Sequence, residues 1–132
     1  MSFVRPEVTD KGCERPARVG DGFIAMPART VNSGAGAQTI SLAQILGGVA
    51  VFTGAAGAVT YTTDTAANIL AAMPAMDIGD TYMFVLSNTA AQTATIAGGT
   101  GVTASGNLTV NATAKMFLLE KTSATTMNLY GL

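Results

Sequence analysis

Histidine and tryptophan are absent from the 132 residues, cysteine occurs once, at Cys13, and only 11% of the side chains are charged. Without histidine the commonest general base and the commonest metal ligand are both missing, so nucleophilic catalysis would have to pair Ser or Cys with Lys or a carboxylate. The lone Cys13 closes no intrachain disulfide and has no second thiol or imidazole with which to build a zinc site; it reads as a buried or idle thiol. Asp77 and Asp80 are the neighbouring carboxylates of the charge-poor region, and they flank Gly79 as turn caps rather than as an acid and base pair. The expectation is a protein that is not an enzyme and takes neither cofactor nor metal.

Other classes fall to the same scarcity of charge. The net charge is −1 and no basic run or face exists, so the cations that neutralise phosphates are missing and no nucleic-acid partner is expected. Residues 31–63 carry no charge, yet Gly47, Gly48, Gly54 and Gly57 and many Thr, Ser and Gln interrupt them, so no membrane-spanning helix is expected. The first residues mix charges of both signs where a secretory signal needs an apolar segment, so the chain is expected to be made and kept without export by that route. A surface this poor in charge lacks the repulsion that keeps monomers apart, which favours self-assembly or permanent residence on a larger body.

The length fits one domain, but the charge is unevenly spread. Residues 1–30 hold nine of the fifteen charged side chains and three of the four prolines, with glycines at 12, 20 and 22 breaking any regular period. Phe3, Val4, Val8, Val19, Phe23, Ile24, Met26 and Val31 give this stretch more apolar side chains than a solvated tail carries. It reads as an extended N-terminal arm, residues 1–31, that orders on a partner, with Phe3, Arg5, Arg15, Arg18, Phe23 and Arg29 as its contact residues.

From Gln38 the pattern becomes short apolar and Thr-rich runs between turn residues. Strands are predicted at Gln38–Leu42, Val49–Thr53, Ala58–Thr62, Thr81–Ser87, Gln92–Ala97, Val102–Ala104, Leu108–Asn111, Lys115–Lys121 and Met127–Tyr130. The continuous apolar runs of Thr81–Ser87 and Lys115–Lys121 predict burial on both faces. One helix is predicted over about 65–73: Asp64 or Thr65 caps it, Ala66, Ile69, Leu70 and Met73 form its apolar stripe, and Pro74 stops it. Together these predict a mainly β fold. The expected architecture is an antiparallel β-sandwich or barrel of about eight short strands over residues 32–132, with one short helix.

Smaller features are read blandly. Gly98-Gly99-Thr100-Gly101 lacks the Lys and the following helix of a phosphate loop and is expected to be a hairpin connection. Asn107-Leu108-Thr109 and Asn111-Ala112-Thr113 fit the glycosylation pattern but are read as turn and strand-edge residues. Thr93, Thr95, Thr103, Thr109 and Thr113 would make a hydroxyl array on one sheet face, able to meet carbohydrate or ice, or simply a surface packed on another subunit. The methionines are expected to fill the core, with some lining a contact between subunits.

The run D-T-A-A-N-I-L-A-A-M-P from Asp64 to Pro74 is followed by I-G-D-T-Y-M-F-V-L-S-N from Ile78 to Asn88. G-T-G-V-T-A-S-G-N-L-T-V from Gly99 to Val110 comes next, and a last strand ends near Leu129-Tyr130. Across residues 58–132 this series resembles a module of bacteriophage capsid decoration (cement) proteins and phage head or tail fibre proteins. The resemblance implies a β-rich domain that forms a homotrimer on the outer capsid surface of a virion made in the host cytoplasm. Its partners would be the major capsid protein and its own copies. A capsid cement protein that stabilises the shell is the first expectation, and a fibre or receptor-binding, glycan-binding module the alternative.

Overall fold

In the computed structural model, which describes residues 29–132, the chain lays its strands alternately into two sheets. The odd-numbered strands β1 (Thr30–Asn32), β3 (Val49–Phe52), β5 (Thr81–Asn88), β7 (Val102–Gly106) and β9 (Ala114–Lys121) join β10 (Met127–Gly131) in a six-stranded sheet ordered β1-β3-β5-β9-β10-β7. The even-numbered strands β2 (Gln38–Ile40), β4 (Val59–Thr63), β6 (Thr93–Ala97) and β8 (Thr109–Asn111) form a four-stranded sheet in that order. The mainly β, sandwich-like architecture is the one expected.

Pairing within the layers is mixed rather than antiparallel. β1, β3 and β5 are parallel neighbours in one sheet, β2, β4 and β6 in the other, and β7 runs parallel to β10. Antiparallel pairing is confined to β5 with β9, β9 with β10, and β6 with β8. Parallel neighbours need a long crossover, and among the first six strands each crossover runs through a strand of the opposite sheet instead of a long helix. The first six strands thus make three turns of a flattened coil, and the last four close it.

The Gly98–Gly101 loop is accordingly no hairpin: it carries the chain from β6 in one sheet to β7 in the other. Gly99 passes so close to β4 that an added Cβ would lie 2.4 Å from the Thr63 carbonyl oxygen, and its N–H donates to Thr63 Oγ1 at 2.9 Å. Only glycine allows that approach.

Two short helices sit at crossings. α2 (Ala66–Ala72) follows the predicted cap: Thr65 Oγ1 accepts from the Asn68 N–H, and Asp64 Oδ1 accepts from the Thr65 N–H and Asn68 Nδ2. Its predicted stripe, Ala66, Ile69 and Leu70, is buried, with Met73 packed beside it. α1 (Leu42–Leu46) replaces the end of the strand expected over Gln38–Leu42. Ser41 Oγ accepts from the Gln44 N–H at 3.2 Å, and Gln44 Oε1 accepts from the Ser41 N–H at 2.9 Å. This reciprocal capping box turns the chain helical one residue after β2. Neither helix is long and apolar enough to cross a membrane.

The core lies between the sheets. Ala50, Phe52, Phe84, Leu86, Phe117, Leu119, Met127 and Leu129 face it from the larger sheet, and Ile40, Tyr61, Ala94, Ile96 and Val110 from the smaller. Phe52 stacks on Tyr61 across the two layers with ring centroids 4.0 Å apart, and Phe84 stacks on Phe117 within the larger sheet at 5.9 Å. The Tyr61 hydroxyl is fully buried and finds no hydrogen-bond partner among the described residues.

An orphaned buried hydroxyl costs about 1–3 kcal/mol, so Tyr61→Phe is expected to raise stability by about 1 kcal/mol, read as a higher urea midpoint at unchanged slope. Burial also pushes the Tyr61 ionisation above the ordinary value of 10.0. The folded chain therefore holds the phenolic proton longer than the unfolded one, and stability falls as pH rises above about 10. The variant should lose the part of that fall due to Tyr61.

Candidate functional site

Alternation along each strand leaves every sheet with one outward face, and the two faces differ in chemistry. The strands expected to be buried on both sides set the first. β5 buries Phe84 and Leu86 but turns Met83 and Val85 outward; β9 buries Phe117 and Leu119 but turns Met116 and Leu118 outward. Met83 is 47% exposed and Met116 42%. The continuous apolar runs therefore arise because the outward positions are themselves apolar, not because a second layer of this chain covers them.

Register aligns these outward residues in rows across the larger sheet. Val31, Val51, Ser87 and Ala114 form one row from β1 to β9. Val49, Val85 and Met116 form the next, and Leu132 N–H donates to the Met116 carbonyl at its end. Met83, Leu118, Tyr130 and Ser105 form the third. The fourth, Thr81, Glu120, Asn128 and Thr103, is polar. Tyr130 spans the change: its hydroxyl donates to Glu120 Oε1 at 2.8 Å and accepts from Asn128 Nδ2 at 2.9 Å. The face is thus mainly apolar over three rows, interrupted by Ser87 and Ser105, and bounded by a hydrogen-bonded polar row. Of the methionines expected to fill the core, Met76 and Met127 do so, whereas Met83 and Met116 stand exposed.

The smaller sheet turns threonine outward. Thr60, Thr95 and Thr109 stand in register across β4, β6 and β8, Thr39 pairs with Thr62, and Thr93 with Asn111. Of the expected array, Thr93, Thr95 and Thr109 come together here. Thr103 lies on β7 of the other sheet, and Thr113 lies in the link between β8 and β9. Thr39, Thr60 and Thr62 belong to the array and were not expected there. The signal for Thr60 and Thr62 was the T-Y-T-T alternation before Asp64, and for Thr39 the Q-T-I-S-L alternation, both visible in sequence but assigned to no face until β4 was placed between β2 and β6.

Five of the six charged side chains after residue 30 are tied into the fold. Asp64 caps α2, Asp80 Oδ2 accepts from the Asp77 N–H at 2.8 Å, and Glu120 accepts from Tyr130. Lys115 Nζ donates to the Asn107 carbonyl at 3.4 Å and to that of Thr109, and Lys121 Nζ donates to the Met76 carbonyl at 2.7 Å. The Asp77–Asp80 turn closes with an Asp80 N–H to Asp77 carbonyl bond of 2.9 Å, in keeping with its capping role. Asn107 is exposed two residues before the edge strand β8, and Asn111 is exposed at its end.

Of the arm residues expected to bind a partner, Phe3, Arg5, Arg15, Arg18 and Phe23, together with Cys13, lie outside the described residues. Arg29 is exposed immediately before β1, the edge strand at which the apolar face begins.

Neighbouring residues on opposite sides of β6 test the face assignment. Thr95→Val is expected to change stability by no more than about 0.5 kcal/mol, and Ile96→Ala to cost about 2–5 kcal/mol, both by chemical denaturation. Comparison of the chain with protein-family models, with curated proteins and with solved structures gives no match.

Proposed function

We propose that the protein is a structural component of a phage virion, a capsid cement protein that binds the outer shell as a homotrimer and stabilises it. The observation that carries this reading is the segregation of charge at the boundary of the fold. Nine of fifteen charged side chains precede residue 31, and five of the remaining six are hydrogen-bonded within the β-domain. A domain so quiet electrically suits contact with copies of itself, while the charged arm suits a different surface, that of the major capsid protein. The resemblance of residues 58–132 to cement and fibre modules points the same way.

The mechanism is mass action. A protein that binds the assembled shell but not its separated subunits stabilises the shell by its binding free energy. In a trimer three arms act together: once one is engaged, the next binds intramolecularly, so modest contacts from Phe3, Arg5, Arg15, Arg18, Phe23 and Arg29 sum to a long-lived complex. The alternative, a fibre or glycan-binding module, is favoured by one observation, the aligned hydroxyls of Thr60, Thr95 and Thr109.

Removal of residues 1–28, which leaves β1 intact, is expected to weaken co-sedimentation with shells of the cognate major capsid protein by about 100-fold or more. Unchanged shell binding would sink the role of the arm. Binding to a glycan array without shell binding, lost in Thr95→Val, would favour the alternative.

A further inference from the structure

The proposal above leaves open which surface joins one copy to another, and the outward faces of the two sheets are not equivalent candidates. We infer that the outer face of the six-stranded sheet, centred on Met83, Val85, Met116 and Leu118, is the surface that buries against further copies of this chain. The inference rests on the self-assembly proposed above and names its interface.

Three features select a second copy as the occupant. The first is charge. Within the four rows Glu120 is the sole ionisable carboxylate and no Lys or Arg occurs, and Glu120 accepts a hydrogen bond from Tyr130. A charged protein partner would find only Glu120, already hydrogen-bonded to Tyr130, and a lipid surface would find the single bordering cation Arg29 where amphipathic faces carry a basic rim for anionic headgroups. Two copies of this face meet without like-charge repulsion over their apolar rows.

The second is size. With strands about 4.8 Å apart and outward residues about 6.7 Å apart along each strand, the four rows cover on the order of 500 Å². Two such faces bury on the order of 1,000 Å², the size at which specific interfaces separate from chance contacts. The third is composition. Met83 at 47% and Met116 at 42% are among the most exposed large apolar side chains of the described residues and lie at the middle of the face, not at its rim. Methionine adapts its shape to an opposing surface, and a dry apolar centre inside a polar rim is the anatomy of a protein interface. The Thr face of the smaller sheet has no such centre.

The test uses the full-length protein. Its mass is measured by light scattering across a dilution series, and peroxide oxidation of each methionine is followed by peptide mass spectrometry on the same samples. The expected result is a trimer in which Met83 and Met116 oxidise as slowly as the buried Met76 and Met127, and several-fold faster once dilution dissociates it; a dimer with the same protection keeps the interface and overturns the homotrimer. Met83→Lys combined with Met116→Lys is expected to give a folded monomer, because neither side chain contributes to the core. An oligomer whose Met83 and Met116 oxidise as exposed residues overturns the interface but leaves self-assembly standing. A monomer with both methionines exposed overturns self-assembly itself, and a monomer with both protected assigns the face to residues 1–28 of the same chain. Should the double variant fail to fold, the oxidation pattern of the unaltered protein decides.

Discussion

Asn88 is fully buried at the end of the central strand β5, and its side chain is held by three hydrogen bonds. Nδ2 donates to the Gln92 carbonyl at 2.7 Å and to the Val110 carbonyl at 3.1 Å, and Oδ1 accepts from the Ala90 N–H at 3.2 Å. Gln92 leads into β6 and Val110 lies on β8, both in the smaller sheet, so one amide ties the larger sheet to its opposite layer where the chain crosses over. The Asn88 N–H meanwhile donates to the Thr113 carbonyl at 2.9 Å, next to the link by which the chain returns from β8 to β9. A buried amide is costly unless it is satisfied. A slip of β5 by one residue would leave it unpaired and would also turn Phe84 and Leu86 outward, so polar and apolar terms fix the same register.

That register makes the winding possible. In three successive passes the chain places a strand in one sheet and then in the other, and each pass pairs parallel to the one before. Local sequence marks the strands and the turns well, because alternation and turn chemistry are properties of neighbouring residues. It does not say whether the strand after a turn pairs with its predecessor or crosses to the opposite layer. Gly98–Gly101 looked like a hairpin for that reason, whereas Gly99 serves a close approach to Thr63, distant in sequence. The same limit hid α1, whose S-L-A-Q signature lies within an alternating stretch, and Ala112, which adopts φ 42° without glycine or asparagine to announce it.

The site was legible in part for a related reason. Strands covered on both sides and strands with an apolar outer face have the same sequence pattern. Thr81–Ser87 and Lys115–Lys121 therefore read as doubly buried, although Met83 and Met116 stand exposed in the single chain. On the interface inferred for Met83 and Met116, the two descriptions would apply at different levels: each strand is buried on one side by folding and would be buried on the other by assembly. The threonines divide by the same rule. Those on β4, β6 and β8 form a continuous row because three strands are adjacent, and Thr103, similar in sequence setting, falls on the other sheet.

The distribution of charge then acquires a physical rationale. A β-domain that must lose solvent from a large flat face gains nothing from charged side chains there, since each would be desolvated on assembly without a partner of opposite sign. The lysines of the domain, Lys115 and Lys121, turn away from that face and spend their protons on the carbonyls of Asn107, Thr109 and Met76. The one carboxylate of the face, Glu120, lies in the polar boundary row and is met by Tyr130. Charge is then useful only where the partner is a different molecule. In this chain it is concentrated before residue 31, so that on the proposed reading affinity for a shell and affinity among copies would be set by separate parts of the sequence.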